Sequence, residues 1–440
     1  MRVAVIGAGI SGMGCALALS ETHDVTLYEG ADRLGGHANT VDAKFGDLRV
    51  PVDTGFIVYN YRNYPNLTSM FETLGVPTKW SDMSFGFSMN DGAFEYACDS
   101  LDKLFAQRFR AVDPRHITML RQVLRFMKTA PGQLERGELD GLTLGQWIDR
   151  NGYGTWFRDR FLIPMGGAIW STKLTEVFDF PAKNFINFFI NHDLMTGLDD
   201  AQQWRTVDGG SRQYVERVAA KLAGRYVLGR KAVEVRPKSV RFADGGEEQF
   251  DHIVLACHGP QALELISNFA DQEQREILSA FKTSPNRAVL HSDPGLMPKR
   301  RKVWSSWSVL SGGAIADADR PAQLTYWMNR LQSIPEAQDG KTTPVFVTLN
   351  PVQEPDPALV HSSHDYAHPL YTEDAFAAQD CIDTIQGRNG IWYAGAWLGY
   401  GFHEDGLRNG VRVAAALGAH PDWVKDTGPE VTPAMAHAAE

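Results

Sequence analysis

Cysteine is scarce in this chain of 440 residues: Cys15, Cys98, Cys257 and Cys381 are its four. They lie far apart with no C-x-x-C pair, which excludes a zinc ribbon or a disulfide framework, leaves no metal site to expect, and fits a reducing cytoplasm. Long hydrophobic runs are also missing, so no segment reads as a membrane span. The apolar N-terminus has no basic region beyond Arg2 and is broken by glycines, which excludes a secretory signal. Positive charge is in deficit, with a formal net charge of −10, and this argues against nucleic acid as a general partner. No internal repeat is visible. What is present is apolar mass: 43% hydrophobic residues over this length can bury a large core, arranged in two lobes.

The first 29 residues carry the most information. Val3 to Ile6 form a short apolar run suited to a buried parallel strand. Gly7, Gly9 and Gly12 then give G-x-G-x-x-G as strand passes into helix, with Ile10 and Ser11 inside the motif. Asp24 to Tyr28 reads as a second strand, and it ends at Glu29. An acid about twenty residues beyond the glycines is placed to meet a ribose hydroxyl in a dinucleotide-binding βαβ unit. Gly7 permits the turn, Gly9 lets backbone approach a pyrophosphate, Gly12 lets helix pack on strand, and the helix N-terminus offers N–H groups to phosphate. The competing reading is a glycine-rich turn in an ordinary βαβ unit.

Further blocks follow in order. Gly30 to Thr40, G-A-D-R-L-G-G-H-A-N-T, brings Arg33, Leu34, Gly35 and Gly36, then His37. Val52 to Asn66 joins Thr54, Gly55 and Phe56 to a run of tyrosines, as strand and loop. Leu101 to Ala130 reads as helix: Ile117, Leu120, Leu124 and Met127 recur at helical spacing, while Arg121, Arg125 and Lys128 line another face. That basic helix suits either a solvated face or an anionic membrane surface. Phe161 to Trp170 and then Phe178, Phe180, Phe185, Phe188 and Phe189 suit a greasy substrate cavity or core packing, with His192 as a structural residue. Gly209-Gly210 precede another helix, Val227–Val235 and Ser239–Phe242 read as paired strands, and Gln249–Cys257 as a strand ending near Ala256. Runs between Arg287 and Asn350 suggest a mostly antiparallel sheet. Ile391 to Leu417 gives a strand ending at Gly395, a glycine-rich loop, and a helix starting near His403. The tail from 421 to 440 reads as loosely ordered.

The Arg-x-Gly-Gly string after Glu29, the returning Gly209-Gly210 and the closing Gly395–Gly406 block resemble the amine oxidase and phytoene desaturase superfamily of flavoproteins. The strings G-Y-G-F-H-E-D-G-L, W-R-T-V-D-G-G-S, I-P-M-G-G-A-I-W-S and Y-A-H-P-L-Y (Tyr366–Tyr371) are similar to a subgroup with the flavoprotein domain of plant cyclopropane fatty acid synthases and bacterial furan-fatty-acid desaturases. The likeness runs from Met1 to about Leu417. It implies an α/β fold with a discontinuous Rossmann-like FAD-binding domain (1–60, 205–280, 385–420). It also implies an α+β substrate domain (61–204, 281–384) with a mostly antiparallel sheet and a helical insert.

The resemblance makes FAD the cofactor. It places Gly7, Gly9, Ile10, Ser11, Gly12, Glu29, Gly30, Arg33, Leu34, Gly35 and Gly36 along its phosphates and ribose. Thr54, Gly55 and Phe56 would meet the flavin ring or else belong to a strand and loop with aromatic core packing, Val233 would meet the adenine through its backbone, and Ala256 the phosphates. Gly395, Ala396, Phe402, His403 and Leu407 would hold the flavin from the C-terminal side, with the helix dipole favouring negative charge there. Family members often carry Arg at the position of His37 and an acid at that of Ala396. His403 and Glu404 adjoin the flavin and are the candidate catalytic bases, or else helix caps. The implied reaction is hydride transfer from an acyl C–H to flavin N5, desaturating a methylated fatty acyl chain of a phospholipid. No second G-x-G-x-x-G holds a nicotinamide, so oxygen or a quinone is the expected electron acceptor. The alternatives are an amine or small-molecule oxidase, or a non-catalytic flavin module assisting an acyl methyltransferase. The cysteine pattern points to the cytoplasm, and the basic helix adds the inner face of the membrane as an alternative place of action.

Overall fold

The computed structural model describes residues 1–170, 173–191, 203–311, 323–335, 337–338, 341–342 and 344–431. His192 and the tail beyond 431 lie outside the described residues. A five-stranded parallel sheet runs in the order Tyr226–Val227, Asp24–Tyr28, Arg2–Ile6, His252–Leu255, Ile391–Tyr393. Its strands are apolar throughout because both faces are covered. Val3, Val5, Val25, Leu27 and Val254 point into one core with the helices Ile10–Leu19 and His403–Ala416. Ala4, Ile6, Ile253 and Leu255 point into another with the helix Gly259–Ile266. The first and closing helices pack so closely that a Cβ on Gly410 would overlap the Ser11 carbonyl, and one on Gly14 would overlap Leu407. The two helix N-termini therefore arrive side by side at the carboxyl edge of the sheet.

The second sheet has seven strands in the order Val360–Leu370, Lys282–His291, Phe346–Leu349, Gln323–Trp327, Trp307–Ser311, Phe85–Met89, Phe94–Ala97. All its pairs are antiparallel except Trp307–Ser311 with Phe85–Met89. The central strands match the β-rich runs of the sequence. The pair at 85–97 and the long edge strand at 360–370, rich in His and Ser, do not show there as alternating patterns. Aromatics of this sheet and of a helical insert, residues 101–191, share one core.

That insert departs from the single helix expected over Leu101–Ala130. A short helix Leu101–Leu104 and a 3-10 turn Arg108–Val112 precede the long helix Pro114–Glu135. Pro114 supplies no N–H and restricts the residue before it, so the helix restarts there, with the Asp113 side chain accepting from the Arg115 N–H at 3.0 Å. Of the five phenylalanines proposed for a cavity, Phe180, Phe185 and Phe189 are buried in this core and Phe178 packs against it. Phe188 alone of the five reaches the cavity described below.

Asp53 ties the lobes together. The hairpin Thr40–Phe45 with Leu48–Asp53 ends on this carboxylate, which accepts from Ser211 N (2.9 Å), Ser211 Oγ (2.7 Å), Thr40 Oγ1 (2.6 Å) and Gln332 Nε2 (2.9 Å). Its own N–H donates to Gln332 Oε1 at 2.8 Å. Burial pushes its pKa up against the pull of these donors. Gly209-Gly210 make the turn that brings Ser211 to it, and a side chain on Gly210, at φ +86°, would strike Thr40.

Candidate active site

A single cavity runs from the carboxyl edge of the parallel sheet to the underside of the seven-stranded one, and a water centre can range over about 460 Å³ of it. At the near end Gly7, at φ +103°, turns the chain so tightly that a Cβ would lie 2.7 Å from the Ala256 carbonyl. Gly9 caps the first helix without a side-chain bond and with no acid in the first turn, and Ile10 and Ser11 of that uncapped helix start line the cavity. A Cβ on Gly9 meets nothing within 4 Å: it would project into the cavity. Glu29, at the end of the second strand, is oriented by Ala8 N–H (2.7 Å) and Ala31 N–H (2.9 Å). This is a cradle for a diphosphate with a carboxylate placed for a ribose, and the residues present fit FAD.

Fourteen of the residues expected from sequence line this cavity: Gly7, Gly9, Ile10, Ser11, Glu29, Gly36, Thr54, Gly55, Phe56, Ala256, Gly395, Ala396, Phe402 and His403. The others stand behind it or away from it. Gly12 lies under the turn, where a Cβ would overlap the Gly7 carbonyl, and Gly30 packs against Lys231. Gly35 donates to the Ala8 carbonyl (2.8 Å), holding its loop against the glycine turn. Arg33 was expected at the pyrophosphate. Its guanidinium instead donates to the carbonyls of Gly36 (2.8 Å), Leu34 and Ala38 (both 3.3 Å), so it braces the Gly-Gly loop. Leu34 packs on the helix core, and Leu407 is fully buried between the two helices. Val233 sits at a strand irregularity with its side chain 41% exposed.

The two candidate bases part company. His403 lies in the wall, stacked on Phe56 at 3.8 Å and 12°, with Nε2 2.9 Å from Tyr214 Oη. Burial pushes its pKa down to about 3, so it is a neutral ring held between Phe56 and Tyr214. Glu404 points the other way. Its two oxygens accept from Asn66 N (2.9 Å) and Leu67 N (3.0 Å), capping the helix Pro65–Leu74, and it does not line the cavity. Burial raises it to about 7 against the pull of those N–H groups. The role of base does not fit a carboxylate held there.

Sequence reasoning missed a histidine cluster beside the diphosphate cradle. His37 stacks on Tyr366 (5.0 Å, 29°) and lies 5.5 Å from His368 and 6.0 Å from His258. All three rings line the cavity. Tyr366 is fixed by Thr54 Oγ1 (2.7 Å) and Asn39 Nδ2 (2.9 Å). Burial lowers the pKa of each histidine. His37 falls well below its ordinary value, helped by the charges of His368, His258 and His403, while the Ala367 carbonyl pulls it up; His368 falls to about 4. The signals were G-G-H, A-C-H and Y-A-H-P. They are remote in sequence: His37 follows the Gly-Gly loop, His258 caps the helix Gly259–Ile266, and His368 lies on the edge strand Val360–Leu370.

Beyond the cradle the wall is apolar. Met83, Phe85, Ile169, Trp170 and Phe188 face Trp307, Tyr326 and Leu349. Phe402 stacks on Phe188 at 5.0 Å, and Trp307 stands perpendicular to Tyr326 at 4.8 Å. Among the described residues Glu29, in the cradle, is the lone carboxylate of the lining.

Comparison with known proteins agrees with this geometry. The family model described as flavin containing amine oxidoreductase matches residues 10–418. The chain is 26% identical over 181 residues to a chloroplastic/chromoplastic 15-cis-phytoene desaturase of Narcissus pseudonarcissus, spanning 38% of this chain and 31% of that one. It is 24% identical over 354 residues to a Mycobacterium tuberculosis protein named "putative flavin-containing monoamine oxidase", spanning 79% and 70%. Among solved structures, cyclohexylamine oxidase from Brevibacterium oxydans superimposes with a TM-score of 0.65 at 16% identity, over 94% of this chain and 98% of that one. A CLA-producing fatty acid isomerase from P. acnes gives 0.63 at 15% over the same shares. At those identities the structures share a fold and no more.

Proposed function

The chain belongs to the flavin containing amine oxidoreductase family, as an FAD-dependent enzyme, and on that footing we propose that its substrate is an acyl chain of a lipid, which it desaturates. The observation that carries this reading is the wall beyond the cradle, where aromatic and aliphatic side chains face one another with no carboxylate among the described residues. Such a wall holds an alkyl chain by apolar burial and excludes water; it offers no counter-charge to an ammonium group. FAD, when bound, supplies the two-electron chemistry by accepting hydride from a substrate C–H. The chain's part is to align the acyl carbons, to present the His403 helix N-terminus to negative charge, and to accept the second hydrogen as a proton. The wall offers neutral imidazoles for that proton. Oxygen or a quinone then takes the electrons. A fatty acid isomerase and a phytoene desaturase among the similar proteins lend the apolar reading support.

A second reading, oxidation of an amine, draws on one specific observation: the perpendicular Trp307–Tyr326 pair presents ring faces that can hold a cation. A monoamine oxidase and a cyclohexylamine oxidase among the similar proteins favour it too. One experiment separates the two. The FAD-loaded protein is mixed anaerobically with methyl-branched acyl phospholipid, or with cyclohexylamine or putrescine, and loss of oxidised-flavin absorbance is followed. The lipid is expected to bleach the flavin and to gain a double bond by mass spectrometry. Bleaching by amine alone overturns the proposal.

A further inference from the structure

The outer face of the helical insert combines exposed apolar side chains with unneutralised cations, and nothing in the reaction uses it. Leu101 is 71% exposed, Phe109 59%, Val112 84% and Leu124 67%. The first three lie on the short turns ahead of the helix Pro114–Glu135, and Leu124 lies on that helix. Thr118, Arg121, Leu124, Arg125 and Lys128 recur at spacings of three and four and are all exposed, so they form one stripe. His116, Met119, Phe126 and Ala130 face the core opposite. Between 101 and 130 the sequence has seven Lys and Arg against two Asp, in a chain whose net charge is −10. Both acids are paired: Asp102 with Arg108 and Lys302, Asp113 with Arg110 and Arg115. Arg125 lies 4.1 Å over the Tyr153 ring, and Arg121 and Lys128 have no acidic partner among the described residues.

We propose that this face docks the protein on an anionic lipid bilayer, with Phe109, Val112 and Leu101 inserted at headgroup depth and Arg121, Arg125 and Lys128 over the lipid phosphates. Cations flanking a few protruding apolar side chains match the chemistry of such a surface. Nucleic acid would use the cations but leave the apolar tips unburied. The long helix packs against the helix Ala182–Asn191, whose Phe188 walls the cavity, so the docked face and the cavity belong to one insert. The proposal goes beyond the substrate reading and stands apart from it, since vesicle binding and flavin bleaching are separate measurements.

The test is co-sedimentation of the full-length, FAD-loaded protein with phosphatidylcholine vesicles, with and without phosphatidylglycerol. Binding is expected to require phosphatidylglycerol and to fall as salt rises. Each cation removed should weaken partitioning roughly fivefold, so Arg121→Ala with Lys128→Ala lowers it roughly 30-fold, with flavin absorbance unchanged. Phe109→Ser with Val112→Ser should remove the binding that survives high salt. Equal binding to both vesicle types, no binding to either, or variants that bind like the parent would overturn the proposal. So would a concentration-dependent dimer that Phe109→Ser and Val112→Ser abolish, because it would give the face to a second copy of the chain.

Discussion

At Glu404 both carboxylate oxygens accept backbone N–H groups of the helix Pro65–Leu74, whereas its neighbour His403 faces the cavity. Successive helical residues diverge by about 100°, and here that step turns Glu404 away from the cavity that His403 lines. The motif G-F-H-E-D identified the helix start; which of its residues looked inward depended on a helix more than 300 positions away. Glu404→Gln keeps one acceptor and sets an NH2 group against the other N–H, a cost of about 1–3 kcal/mol. The expected result is a lower melting temperature with the rate of anaerobic flavin reduction per bound flavin little changed. A rate loss of about a hundredfold or more, the scale of a lost general base, would instead restore Glu404 to the chemistry.

Among elements, two glycine positions on the paired helices separate binding from packing. Gly9→Ala adds a Cβ that meets no protein atom and projects into the cavity. The FAD-free protein should melt within a few degrees of the parent, while FAD affinity, read by flavin fluorescence titration, falls by about tenfold or more, because the cradle works by close backbone approach. Gly410→Ala does the reverse. Its Cβ meets the Ser11 backbone, which must shift, at the about 1–3 kcal/mol typical of overpacking. The melting temperature of the FAD-free protein should fall by several degrees. The role of Gly9 was legible in the spacing of its own motif. That of Gly410 was not, since its partner is Ser11 at the far end of the chain. The same limit hid Leu407 as a packing residue. It also left Phe185 and Phe189 indistinguishable from Phe188, because helical period shows that a face is apolar without showing what covers it.

Across the whole molecule burial lowers the pKa of several histidines, and these shape its response to acid. His291 is fully buried: its Nδ1 accepts from Asp293 N–H (3.1 Å), its Nε2 meets Thr348 Oγ1 (2.7 Å), and burial lowers its pKa to about 4. His403 falls to about 3 and His368 to about 4, and His37 and His258 are lowered beside it. Each has a folded pKa below its unfolded value of 6.5. Between the two values the unfolded chain binds more protons, so stability is complete above about pH 6.5 and declines as pH falls toward the folded value. At pH 5 the decline is about 2 kcal/mol each for His291 and His403. Glu404 has the opposite sign: raised from 4.5 to about 7, it favours folding at low pH and loses that contribution as pH rises through 7, and burial raises Asp53 and Asp405 in the same sense. The five histidines outnumber these three acids, so the melting temperature of the FAD-free protein is expected to peak near neutrality and to drop from pH 6.5 to 5. FAD sharpens the comparison. Its diphosphate would sit beside His37, His258 and His368 and favour their protonated forms, so the loaded protein should lose less stability over the same interval. Calorimetry of both forms across pH 5 to 8 checks this. Parallel pH profiles would place the cluster out of reach of the phosphates, and a flat profile for the FAD-free protein would mean that the buried imidazoles keep contact with water.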